Sequence, residues 1–117
     1  MASTGVIILS TFPSEQLVAE VAKQVVNAKL CACVNFTQIR SIYSWDGKLE
    51  DQYEFLALFK ATSKSVKKLK DEIARLHPYK VPEIVELKMS DVSNSYLSWL
   101  AAESMLSVTK KRHNAAK

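Results

Sequence analysis

The chain has 117 residues, enough for one domain with a modest core. Its 48% apolar and 24% charged residues are ordinary for a globular protein and exclude a disordered or fibrous chain. The net charge is +4, yet Lys110, Lys111, Arg112 and Lys117 alone account for it, so the body is neutral and a general polyanion-binding role is disfavoured. No apolar run reaches the roughly 18 residues that span a bilayer. Met1-Ala2-Ser3-Thr4-Gly5 lacks the basic and apolar regions of a secretory signal. A cytoplasmic protein with neither a membrane nor a nucleic-acid partner is the expectation.

Val6-Ile7-Ile8-Leu9 reads as a buried strand, ended by Thr11-Phe12-Pro13-Ser14. From Glu15 the spacing turns helical, with Leu17, Val21 and Val25 on one row and Val18, Ala22 and Val26 on the next. Ser14 suits the N-cap of this helix. Cys31 and Cys33 are two apart on an extended run, so their side chains diverge and both are expected as free thiols. Asp46-Gly47 then joins two β-rich arms, residues 32–44 and 49–60, supplying the left-handed positions of a two-residue hairpin turn. Each arm would span about 40 Å and overhang a small domain. On the first arm the large residues move from Val34 and Phe36 to Ile39, Tyr43 and Trp45, which predicts either a bulge near residues 37–40 or burial on both faces. On the second arm Tyr53, Phe55, Ala57 and Phe59 face one way and Leu56 and Leu58 the other, so two covers are needed. The chain's own helices supply one, and another subunit is a candidate for the second.

Thr62-Ser63 opens a second helix with Val66, Leu69, Ile73 and Leu76 at helical spacing. Its early Lys64, Lys67, Lys68 and Lys70 read as a solvated basic face, or as an anion site. Pro78 ends it at residues 75–77. Residues 84–89 alternate as a strand, and Ser93 caps a last helix through Tyr96, Trp99 and Leu100. The βαββαβ order predicts an α+β, ferredoxin-like sandwich with a long hairpin and an added C-terminal helix. One domain is placed at residues 1–107, followed by a basic tail, 108–117, expected to be disordered.

No enzyme motif is present. With only Gly5 and Gly47 there is no phosphate loop, and no His-Glu-x-x-His or Cys-x-x-Cys spacing occurs. The third strand lacks the basic-Gly-aromatic octamer of an RNA-binding sheet. Glu50 and Glu54 share a face with Lys60, but lie about 13 Å apart by rise, too far to share one ion within a single chain. They serve as exposed cross-strand charges or as part of a site shared with another subunit. His77, before Pro78, either caps carbonyls at a helix end or acts as a metal ligand with Glu83. A cleft enzyme assembled from Cys33, Glu50, Glu54, Lys60 and His77 is the third reading.

Taken together, Ala32-Cys33-Val34-Asn35, Ser41 through Glu50, Glu54, Lys60, His77-Pro78-Tyr79, Val81-Pro82-Glu83-Ile84 and Tyr96-Leu97-Ser98-Trp99 resemble the CutA family of divalent-cation tolerance proteins. The resemblance runs from Val6 to Leu100. It implies a tight homotrimer, similar in architecture to PII signalling proteins, that binds copper or another divalent metal ion and acts in metal homeostasis without catalysis. It also implies inter-subunit clefts in which Cys33, Tyr43, Trp45, Glu50, Glu54, Lys60, Tyr79 and Trp99 contact a ligand, with His77 and Glu83 toward metal. Ser10 and Leu76 stand where some members have Cys and His. The second reading is a PII-like adaptor binding a small anion, with Lys60 and Lys64 as contacts.

Overall fold

A computed structural model of the chain describes residues 4–104. The predicted basic tail lies outside the described residues. In chain order the elements are β1 (Gly5–Phe12), α1 (Glu15–Asn27), β2 (Cys33–Trp45), β3 (Lys48–Thr62), α2 (Val66–Leu76), β4 (Val85–Lys88) and α3 (Asn94–Glu103). The strands form one antiparallel sheet in the order β2-β3-β1-β4, the arrangement of a ferredoxin-like sandwich. Among the described residues no helix is long and apolar enough to cross a membrane.

Alternation along the strands sorts the sheet into two faces. Val6, Ile8 and Phe12 of β1 and Ala57, Phe59 and Ala61 of β3 are buried, and they join Val18, Val21 and Val25 of α1 and Leu69 and Ile73 of α2 in one core. Ser14 caps α1 as expected, its hydroxyl accepting from the Leu17 N–H at 3.2 Å. The helix ends in a Schellman pattern in which Lys29 (φ 62°) takes the left-handed position usually given to Gly. The Leu30 N–H reaches the Val25 carbonyl and the Lys29 N–H that of Val26, both at 3.0 Å. Lys29 also pairs with Glu103 at 2.7 Å, tying the end of α1 to α3.

Several boundaries differ from the sequence reading. β1 runs on to Phe12, because Phe12 pairs with Phe55 and is wholly buried. β3 runs to Thr62 and α2 begins only at Val66. Ser65 at its N-cap position makes no side-chain cap and instead donates its hydroxyl to the Leu30 carbonyl at 2.8 Å. The fourth strand is shorter, Val85–Lys88. Ser93 does occupy the N-cap position of α3, without a side-chain cap bond. Of the early lysines in α2, Lys67 meets Asp71 at 3.2 Å and Lys70 meets Glu86 at 2.7 Å. Both cysteines are free, and burial pushes the Cys31 thiol up to about 12.

The hairpin holds one register throughout, from Cys33 opposite Lys60 to Trp45 opposite Lys48. The bulge near residues 37–40 is therefore absent. The large residues change phase because Val34 and Phe36 face the helices, whereas Ile39, Tyr43 and Trp45 face the other side. Beyond the core the arms overhang, giving extents of 55 × 30 × 20 Å and leaving Ile42, Leu49 and Tyr53 more than half exposed near the tip. Asp46 (φ 54°) and Gly47 (φ 77°) both take left-handed geometry, as a type I′ turn demands. Nothing lies within 4 Å of where a Cβ on Gly47 would sit, so any penalty there is one of backbone geometry alone. Gly47→Ala is expected to cost roughly 1–2 kcal/mol, read as a lower urea midpoint at fixed protein concentration. An unchanged midpoint would mean that the turn is free to leave the left-handed region.

Candidate functional site

The face of the sheet away from α1 and α2 carries Ile7, Leu9 and Thr11 of β1, Ile39, Ser41, Tyr43 and Trp45 of β2, Glu54, Leu56 and Leu58 of β3, and Val85 and Leu87 of β4. α3 reaches it beside β1 and β3, and near Gly5 Met89 and Leu100 approach. Where this face meets the loop after α2 there is a cleft of about 1000 Å³. The sheet contributes Tyr43, Trp45, Glu54 and Leu56, and the loop contributes Pro78, Tyr79, Lys80, Val81 and Glu83.

Pro78 holds His77 in extended geometry (ψ 137°) at the end of α2, which turns its ring into the protein. The ring is 9% exposed and stacks on Phe12 with centroids 4.4 Å apart. Nε2 lies 2.8 Å from the Thr11 carbonyl, which only accepts, so Nε2 carries the proton and donates. Nδ1 in turn accepts from the Tyr79 N–H at 3.2 Å. Both ring nitrogens are thus engaged and the neutral tautomer is set by its partners. In this arrangement no nitrogen lone pair of His77 is free for an ion, which counts against its reading as a metal ligand. Its other reading, a cation capping α2, is corrected, since the carbonyl it serves belongs to β1.

The N–H bond from Tyr79 to His77 aims the phenol back toward the sheet, where its hydroxyl donates to Glu54 Oε2 at 2.7 Å. Glu54 is 6% exposed, the most buried carboxylate among the described residues. Burial first, and then the hydrogen bond to Glu54 and its charge, push the Tyr79 phenol well above its ordinary range. Tyr43 is raised too, by burial and then by Glu54 and Glu50. Both phenols are therefore neutral donors at physiological pH.

The cleft brings together Tyr43, Trp45, Glu54 and Tyr79 from the expected ligand set, and Glu83 from the expected metal pair. Cys33 and Lys60 are not part of it; they face each other at the opposite end of the hairpin, where the Cys33 thiol meets Asn35 Oδ1 at 3.6 Å. Glu50 accepts from Gln52 at 3.0 Å, and Trp99 packs on Tyr96 with centroids 5.6 Å apart. Cys33 and Lys60 of the enzyme option therefore lie apart from Glu54. Among the described residues no three His, Cys, Asp or Glu gather closely enough to hold a metal ion. Sequence reasoning missed Leu9, Thr11 and Ser41, which strand register places on the face of Tyr43 and Glu54, and Lys80, which the loop after α2 brings to the cleft.

Burial, only partly offset by the Thr11 carbonyl and Glu54, lowers the His77 pKa below its ordinary 6.5. The unfolded chain then binds the extra proton first, so stability is fully present above about pH 6.5 and falls as pH drops below it. Urea midpoints measured from pH 7.5 to 5 should decline in the wild type and stay flatter in His77→Gln. Parallel profiles would remove His77 as the cause.

The family model of the CutA1 divalent ion tolerance protein matches residues 6–103. The divalent-cation tolerance protein CutA of Thermus thermophilus is 42% identical over 95 residues, which are 80% of this chain and 92% of that protein. The crystal structure of CutA1 from Pyrococcus horikoshii aligns with a TM-score of 0.82 at 35% identity, covering 86% of this chain and 98% of its own. The PII-like protein CutA from Nostoc sp., in its apo form, aligns with a TM-score of 0.82 at 29% identity and the same coverage. The match extends from the second residue of β1 to the last of α3, and by it the chain belongs to the CutA1 family of divalent ion tolerance proteins.

Proposed function

We propose that the protein acts in divalent-cation tolerance as a cytoplasmic homotrimer that binds a cation in clefts between subunits and does not turn over a substrate. The observation that carries this reading is Glu54, a carboxylate 6% exposed on the sheet face away from α1 and α2, whose one side-chain hydrogen bond among the described residues comes from the neutral Tyr79 hydroxyl. Assembly is supported by the same face, where Val85 and Leu87 are 43% and 45% exposed beside half-buried Ile7, Leu9, Leu56 and Leu58. Overhanging arms with an apolar tip add to it.

A divalent ion entering the cleft meets oxygen donors, with Glu54 and Glu83 as the residues that would hold it. Copper finds little there of the nitrogen and sulfur it prefers, since His77 is engaged and Cys33 is distant. The PII-like reading, with an anionic ligand, has Lys80 as the one cation among the lining residues, against two carboxylates.

Native mass spectrometry is expected to give three times the chain mass of 13.1 kDa. Calorimetric titration of zinc and copper into that assembly is expected to show binding that Glu54→Gln weakens by about tenfold and His77→Gln leaves within a factor of two. A monomer defeats the assembly. Binding abolished by His77→Gln alone defeats the carboxylate site.

A further inference from the structure

We propose that the Glu54 cleft takes a small organic ammonium cation, its charged end on the Glu54 carboxylate and its apolar body against Tyr43 and Trp45. This rests on the reading of the cleft as a cation site and names the class of cation.

Size is the first argument. A cleft of about 1000 Å³ with two carboxylates on its walls is far larger than a single ion fills and has room for a larger cation. That volume lies at the upper end of what whole small molecules occupy. No third acidic or imidazole ligand joins Glu54 and Glu83 among the described residues.

Charge is the second. A carboxylate nine-tenths buried is costly without a countercharge, and no described cation lies within ion-pair distance of Glu54. Among the described residues its one side-chain donor is the neutral Tyr79 hydroxyl, 2.7 Å from Oε2, and Glu54 lines the cleft. An ammonium N–H supplies both the missing charge and the missing donor.

The walls are the third. Tyr43 and Trp45 lie on the same sheet face as Glu54 and remain 38% and 53% exposed. Tyr43, Trp45 and Glu54 all line the same cleft. Aromatic faces attract organic cations through the ring quadrupole and shield an apolar body from water. A hydrated metal ion gains little from such walls. Lys80 alone does not offset Glu54 and Glu83 for an anion.

The test uses the full chain in its assembled form and two probes of one shape, phenethylammonium and 2-phenylethanol, titrated by calorimetry with tryptophan fluorescence alongside. Expected is binding of the ammonium at least about tenfold tighter than the alcohol, a gap that Glu54→Gln reduces to less than about threefold. Trp45→Leu, at an exposed position on the hairpin tip, is expected to weaken the ammonium without unfolding the chain, and serves if Glu54→Gln does not fold. Equal binding of the two probes, a gap that survives Glu54→Gln, or no saturation by the ammonium overturns the inference. Zinc titrated on the same sample separates the two readings. If zinc binds and the ammonium does not, this inference falls and the proposed function stands. If the trimer mass is found but neither binds, both readings of the cleft fall.

Discussion

Everything distinctive in this structure depends on one unbroken ladder. β2 and β3 stay in a single register from Cys33–Lys60 to Trp45–Lys48, and the left-handed pair Asp46 and Gly47 closes it without a slip. Because side chains alternate strictly along such a ladder, one residue of slippage would move Tyr43 and Trp45 to the opposite face and replace Glu54 with Phe55 or Tyr53. The cleft exists only in this register. The turn, remote from the core, therefore has as much influence on the site as the residues that line it.

The second determinant is the stiff loop after α2. Pro78 forces His77 out of the helix, and the ring then links two otherwise separate parts: a carbonyl of β1 on one side and the backbone of Tyr79 on the other. From Tyr79 the chain of bonds continues to Glu54. A histidine, a tyrosine and a glutamate thus connect the end of β1 to the floor of the cleft. The role of the imidazole is to hold position, through donors and acceptors that leave it no spare lone pair.

Much of the architecture was legible in the sequence because short-range rules governed it. Asp46-Gly47 located the turn, the rows of Val and Leu located α1 and α2, and Ser14 located a cap that forms as read. What was not legible depended on distant partners. Ser65 turns its hydroxyl to Leu30, thirty-five residues away, so the start of α2 could not be read from its own neighbourhood. The shift of large residues along β2 fitted a bulge equally well until the pairing with β3 was known. His77 looked like a ligand because its two partners, Thr11 and the Tyr79 amide, become neighbours only in the fold. For the same reason Glu54 could be paired with Glu50 by spacing, yet not with the Tyr79 hydroxyl.

The overhang of the hairpin divides the chain into a part that carries its own core and a part that does not. At one end the backbone is cross-tied, with Ala32 bonded to Lys60, Ser63 to Thr4 and Ser65 to Leu30. At the other, strand pairing continues past the last buried contact, with Ile42, Leu49 and Tyr53 open to solvent. Opening from the tip costs little in the chain alone, since it breaks ladder bonds without exposing packed core. Any partner that covered that tip would add to its stability by mass action, and the rigidity of the cleft's outer wall, Trp45 included, would then depend on that partner's concentration. A partner bound at the tip would thereby set how well formed the outer wall of the cleft is.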